Sequence, residues 1–229
     1  MSAILDLVRV LFSPGEVFGR VKEQPRILAP LLAVLAVQVG VSALSLPYVR
    51  AAMRAQMAAQ PAGAQTPAAA ETFAVFGTLI GAPISVALIL LIAALLLWVA
   101  VSVLGGDGQF RHLFAVTIYS FVPGLLLQLA GLAVLAMRGG EGITSMQDLQ
   151  PSLGLDLFLA PIMELGPFVR AVLRSVNPFS IWGVVLVVIG IQKTHNVERG
   201  TAVTAAVIQW AVLALIGALF AMLGARAGG

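Results

Sequence analysis

The sequence predicts an all-α membrane protein: a bundle of five transmembrane helices, with short amphipathic interfacial helices before spans one and four. Three observations lead there. No charged side chain occurs between Thr72 and Gly106. The densest part of that stretch, 84–104 (ISVALILLIAALLLWVAVSVL), makes a helix roughly 31 Å long, close to the hydrocarbon thickness of a bilayer. In lipid each backbone N–H and C=O must be satisfied within the segment, which leaves a helix as the form for such a run. Second, apolar residues make up 60% of the chain and charged residues 10%, which excludes an ordinary soluble domain and a disordered chain. Third, the pattern recurs at 27–49, 84–104, 112–137, 178–192 and 201–225.

The net charge is only +3, and the basic residues are scattered, so no nucleic-acid stripe is present. There is no cysteine, hence no disulfide framework and no thiolate metal site. The first apolar run starts at Ile27, behind a charged segment, too late and too long for a cleavable signal, and is expected to remain in the mature protein. Orientation follows from Lys and Arg in the flanks. Arg9, Arg20, Lys22, Arg26, Arg111, Lys193 and Arg199 lie on the N-terminal side, and Arg50, Arg54, Arg138, Arg170, Arg174 and Arg226 on the other. The totals nearly balance. The dense cluster before the first span decides, placing the N-terminus in the cytoplasm and the C-terminus outside.

Residues 1–26 read as an amphipathic interfacial segment ahead of a membrane domain over 27–225. Ile4, Leu5, Val8, Leu11 and Phe12 share one helical face, with Asp6 and Arg9 opposite. Ser13, Pro14 and Glu16 have the spacing of a capping box with proline at the first helical position. Phe12 and Val17 are placed for a hydrophobic staple, and Glu16 for an ion pair with Arg20. Val17, Phe18 and Val21 continue an apolar face. Two such helices before a span suit the headgroup layer or a cap on the end of the bundle. After the first span, Arg50 to Met57 extend the helix outward, and 60–70 (QPAGAQTPAAA) is a loop. Pro83 is expected to kink the second span. Gly77 and Gly81 form a GxxxG pair, expected to serve packing within the chain, or contact with another membrane protein or a second copy. The glycine-rich stretches 105–108 and 139–142 are turns, lacking the spacing of a phosphate loop. The external connection 138–176 holds an amphipathic helix at 167–176, with Phe168, Val169, Val172, Leu173 and Val176 on one face. Arg170 and Arg174 on its other face are expected at lipid phosphates. Asn177 and Pro178 cap and start the fourth span. Residues 155–165, broken by Asp156, Pro161 and Glu164, are too interrupted for a span.

No ionisable residue lies inside an assigned span, which argues against an ion-driven pump. The polar groups within spans include Gln38, Ser42, Thr117, Tyr119, Ser120, Gln128, Asn177, Ser180 and Gln209. Interhelical hydrogen bonding is their expected use. The alternative is a transporter or lipid-handling protein with a polar path near Tyr119, Gln128, Asn177 and Gln209. His112 and His195 sit at span ends, near Asp107 and Glu198. They would make a metal site only if their loops meet, and without HExxH or repeated ligand spacing solvated loop residues are the expected reading. No GxSxG or paired-carboxylate arrangement occurs. No catalytic residue, metal or cofactor is assigned, and the chain reads as a non-enzyme.

Three groups of residues, in order, carry a family resemblance. The pre-span segment has Phe12-Ser13-Pro14, Val17-Phe18 and Gln24-Pro25. The third span carries Tyr119-Ser120-Phe121-Val122-Pro123. The fourth opens with Asn177-Pro178-Phe179-Ser180-Ile181-Trp182 and has Gly190 near its end. The chain thereby resembles the Yip family of Ypt/Rab-GTPase-interacting membrane proteins, in its prokaryotic branch, over about 5–220. The resemblance implies five spans, a cytoplasmic N-terminus, a bacterial or archaeal cytoplasmic membrane, and a non-enzymatic scaffolding or bilayer- and trafficking-organising role with lipids as partners. It marks Tyr119, Pro123, Asn177, Pro178, Phe179 and Trp182. The eukaryotic members bind prenylated GTPases. Their acidic-aromatic-Gly-Pro motif has no match in 1–26 and their Gly-Tyr pair appears as Ile118-Tyr119, so GTPase binding is not carried over.

Overall fold

The computed structural model describes residues 2–58, 72–73, 75–139, 142–143, 146–149, 153–160, 162–195 and 197–227. Among them every regular element is helical: α1 (Ser2–Arg9), α2 (Pro14–Glu23), α3 (Leu28–Ala58), α4 (Ala82–Val103), α5 (Phe110–Ser120), α6 (Val122–Met137), α7 (Asp156–Leu159), α8 (Pro167–Ser175), α9 (Pro178–His195) and α10 (Arg199–Ala227). A π turn occupies Gly77–Gly81 and a 3-10 turn Met146–Leu149. The loop at 60–70 lies outside the described residues.

Four stretches are long and apolar enough to cross a membrane: Leu28–Ala58, Gly77–Val103, Phe110–Met137 and Arg199–Gly224. α8 and α9 qualify together as a fifth, bent by 56° between them. Helix ends differ from the uncharged runs for local reasons. α3 continues through Arg50 and Arg54, as the spacing of Met53 and Met57 suggests. The chain also stays helical through Pro83, where a kink was expected. A π turn lies directly before it, closed by the Ala82 N–H on the Gly77 carbonyl. α5 and α6 are one apolar stretch interrupted at Phe121. Pro123 has no N–H to continue the ladder, and the Phe121 N–H turns to the Ile118 carbonyl at 3.3 Å. α9 reaches His195, so it is about 27 Å long, longer than the uncharged run 178–192 on its own.

The helices cluster into two units. The first comprises Met1–Ala33, Ile89–Gly124 and Ser152–Gly229. Its core is apolar: Phe18, Leu97, Val101, Leu113, Ile118, Leu186 and Ile191 are fully buried, with Ala202, Ala205 and Ala206 of α10. Within it α9 packs on α2, α5 and α10, and α8 packs on α10. The second unit comprises Val34–Leu88 and Leu125–Pro151. There α3 buries Gln38, Val41, Ser42, Val49 and Ala52 along one stripe. Gly77 and Gly81 have nothing within 4 Å of where a Cβ would sit. Among the described residues, then, no helix packs on the GxxxG pair, contrary to the expectation of packing within the chain.

Candidate functional site

Of the residues that carry the family resemblance, Val17, Phe18 and Gly190 meet at one junction of the first unit, where α2, α5 and α9 pack together. Val17, Phe18 and Val21 are buried, so the apolar face of α2 is turned into the protein and not into a headgroup layer. Gly190 makes the approach of α9 possible. A Cβ there would come within 2.5 Å of Val116 Cγ1 and 3.3 Å of Phe18 Cε1, and one on Gly183 would lie 3.4 Å from the Ser120 carbonyl oxygen. Residues advance along α9 as they recede along α5, so the two helices run antiparallel. Phe18 fills the space that the missing side chain of Gly190 leaves.

α1 is joined to this junction by polar bonds. Asp6 is buried, accepting from Arg20 Nη2 at 2.7 Å and Arg20 Nε at 3.3 Å. The Tyr119 hydroxyl donates to the Ala3 carbonyl at 3.3 Å. Several local expectations are corrected here. Ser13 makes no side-chain cap bond, and Arg20 takes Asp6 as its ion-pair partner. Phe12 is 79% exposed and forms no buried staple with Val17. Residues 3–12 are apolar nearly all round, so either face of α1 could have been inward. The bidentate Arg20–Asp6 bond turns Ala3, Asp6, Leu7 and Val10 inward, leaving Ile4, Leu5, Val8 and Phe12 exposed.

At the N-terminal end of α5 the two histidines do meet. Their ring centroids are 6.1 Å apart, edge to face. His195 Nε2 accepts from the Gln109 N–H at 3.2 Å, and its Nδ1 lies 2.6 Å from Thr194 Oγ1. That hydroxyl donates to the Gly190 carbonyl at 2.7 Å, so Nδ1 carries the proton and Nε2 the lone pair. His112 Nε2 bonds the Lys22 carbonyl at 3.2 Å. These are not solvated loop residues. Burial pushes the His195 imidazole below its ordinary pKa, and the neighbouring His112 acts in the same direction. No group of three or more candidate metal ligands forms among the described residues.

Asn177 organises the entry to α9. Its Oδ1 accepts the Ser180 N–H at 2.9 Å, capping the helix as its sequence position predicts, while Nδ2 donates to Ser180 Oγ and back to the Arg174 carbonyl at 3.1 Å. One buried amide thus ties the end of α8 to the start of α9. Gly154 packs onto the same turn so closely that a Cβ would sit 2.5 Å from the Arg174 carbonyl oxygen. Asp156, read from sequence as a polar break in a loop, is fully buried and accepts from Arg174 Nε at 3.0 Å. Arg174, expected at lipid phosphates, is therefore directed inward, whereas Arg170 is exposed. A carboxylate with no solvent access must have a cationic partner, and the basic residue on the adjacent helix supplies it.

The remaining marked residues are dispersed. Gln209 is buried in α10 and its Nε2 donates to the Ala93 carbonyl of α4 at 2.8 Å. Pro123 is buried, Pro178 and Trp182 are exposed, and Phe179 is half-buried. Gln128 is half-buried in α6, within the second unit. The Asp6–Arg20 and Asp156–Arg174 pairs each link residues on different helices, whose packing no local pattern encodes.

These apolar stretches, an all-helical fold and a packed junction define a multi-pass membrane protein. The Yip1 domain model matches residues 8–221, and the chain belongs to that family. It is also similar to "Membrane protein YknW" of Bacillus subtilis (strain 168), 27% identical over 225 residues, covering 97% of this chain and 93% of that protein. No solved structure matches.

Proposed function

We propose that the protein is a non-enzymatic membrane scaffold that organises the bilayer or partner membrane proteins through helix contacts and interfacial helices. It has five spans, with its N-terminus in the cytoplasm and its C-terminus outside. The observation that carries this reading is the use of the polar groups in the spans. Tyr119, Asn177 and Gln209, which a transport path would need, direct their polar atoms to the protein's own backbone. The antiparallel course of α9 along α5 supports a fourth crossing opposite in direction to the third. Gly77 and Gly81, open on their outer side, are where a helix of another membrane protein or a second copy packs. A rival reading, a small-molecule or lipid transporter, draws on two buried oxygens without a hydrogen-bond partner among the described residues, Gln38 Oε1 and Ser120 Oγ. The chain has no native cysteine, so single cysteines decide between the two. In proteoliposomes, Thr117→Cys, Gln128→Cys and Gln209→Cys should resist a membrane-impermeant maleimide added to either side. Rapid labelling at these positions would mean a water-filled path and overturn the scaffold.

A further inference from the structure

α1 leaves a second apolar face outward. Ile4, Leu5 and Val8, with Phe12 just beyond its end, are 53%, 54%, 60% and 79% exposed, while the buried side holds Asp6 among Ala3, Leu7 and Val10. For a helix this short, such an arrangement in water would leave four large apolar side chains without the burial that stabilises a fold. The position of α1 along the bundle explains it. The uncharged run of the third span begins after Arg111, so His112 marks its N-terminal edge. Val116, which faces Gly190 beside Phe18, lies about 6 Å inward from His112, and the Tyr119 backbone about 10 Å inward, at 1.5 Å per helical residue. The Tyr119 side chain leans back toward the start of its helix, and its hydroxyl meets the carbonyl of Ala3. α2 lies level with the loop ends, its Lys22 carbonyl bonded to His112 at that edge, whereas the start of α1 is held below them, in the outer third of the span. That is the depth, about 5–10 Å, at which an amphipathic helix buries its apolar face at the boundary of headgroups and acyl chains.

We propose that α1 is a wedge confined to one leaflet: Ile4, Leu5, Val8 and Phe12 insert among the lipids on the N-terminal side of the membrane. The occupant of the exposed face is the surrounding bilayer, because α1 is bonded at Ala3 to Tyr119, well inward of the charged edge of the span. Arg9, exposed beside Asp6 with 58% of its side chain accessible, stands at the rim where phosphates lie. The Asp6–Arg20 pair and the Tyr119–Ala3 bond act as a latch that fixes the wedge to the bundle, so that its insertion does not depend on membrane affinity alone. A helix that takes up area in one leaflet favours loosely packed or convex lipid, which gives the scaffold a sense of bilayer shape. This inference rests on the reading that Phe110–Met137 crosses the membrane, but not on the absence of a transport path.

The test is spin-label depth measurement in phosphatidylcholine–phosphatidylglycerol vesicles, with single cysteines placed by Ile4→Cys, Val8→Cys, Phe12→Cys and Arg9→Cys. Oxygen partitions into lipid and a nickel chelate stays in water. The ratio of oxygen to nickel relaxation should be several-fold higher at positions 4, 8 and 12 than at position 9. Asp6→Asn should raise label mobility at position 8. Equal nickel access at all four positions would place the face in water, and exclusion of both agents at 4, 8 and 12 would mean that protein covers it; either result overturns the wedge. Unchanged mobility in Asp6→Asn would overturn the latch. Maleimide access at Gln128→Cys and Gln209→Cys is read separately, so failure of the wedge and failure of the scaffold are distinguishable.

Discussion

Gly190→Ala is the smallest change that should disturb the junction of α2, α5 and α9. The added methyl would start 2.5 Å from Val116 Cγ1, 3.0 Å from Val116 Cγ2 and 3.3 Å from Phe18 Cε1. All three partners belong to fully buried side chains, so the strain is not relieved by a swing into lipid. Overpacking of this kind costs about 1–3 kcal/mol. For a chain of this size each kcal/mol lowers the melting temperature by about 2–4 °C, so a drop of roughly 2–12 °C is expected in detergent. Val116→Ala removes the atoms the methyl would strike and by itself costs roughly 1–3 kcal/mol through the cavity it leaves. The double variant should melt well above the temperature that adding the two losses would give, with a coupling of about 0.5–3 kcal/mol. Thermal unfolding of the four proteins, followed by intrinsic fluorescence, measures it. Strict additivity, or a Gly190→Ala protein as stable as the parent, would show that α9 does not pack on Val116 at this point.

Arg174→Ala should lower stability by up to about 3–5 kcal/mol, because it strands the buried Asp156 carboxylate. Arg170→Ala, at an exposed position, should stay within about 0.5 kcal/mol; the two melting curves compared with and without anionic lipid decide. Asn177→Leu should cost at least the roughly 1 kcal/mol of a lost cap, read in the same assay. His195 gives a pH dependence of defined sign. Its folded-state pKa is depressed, whereas the unfolded side chain takes up a proton near pH 6.5. The unfolded state therefore binds more protons as pH falls, and the stability His195 contributes is present above about pH 6.5 and lost toward the lower folded value. The melting temperature should decline in that window, and His195→Gln should flatten the decline. Reporter fusions near Gly106 should read cytoplasmic and those after Gly142 or Gly224 external; a cytoplasmic reading after Gly224 would remove the odd number of crossings.

The spans were legible because a run such as 84–104 needs no tertiary information to announce itself: lipid imposes the helix, and the absence of charge imposes the lipid. The cap on α9 was legible for a similar reason, since Asn177 and Pro178 act within one turn. Side-chain choices on the short helices were not. In α1 the sequence marks Ile4, Leu5, Val8 and Phe12 as one apolar face but does not say whether it meets lipid or the bundle; the structure leaves it outward and packs Ala3, Leu7 and Val10 instead. Asp6 is inside because Arg20 reaches it from α2, and Arg174 is turned from the membrane because Asp156 lies beneath it. Both partners are non-local. The histidines illustrate the same limit, since two loops far apart in sequence meet only through the antiparallel packing of α5 and α9. Gly190 was quoted for the family resemblance, but that its bare backbone makes room for Phe18 is visible only in three dimensions.

The hydrogen bond between Ala3 and Tyr119 joins residues 116 positions apart, and this bears on biosynthesis. At roughly 5–20 residues per second, α1 and α2 leave the ribosome on the order of ten seconds before the helix that receives them. Gly190, against which Phe18 closes, is made later still. The first elements synthesised are thus among the last that can settle, and meanwhile they expose Phe18, although Asp6 and Arg20 can already pair with each other. A chain halted after its third span would lack Gly190, so the closure of Phe18 against α9 could not form. Exposure of the N-terminal segment to a protease is accordingly a gauge of whether α9 has been added to the bundle.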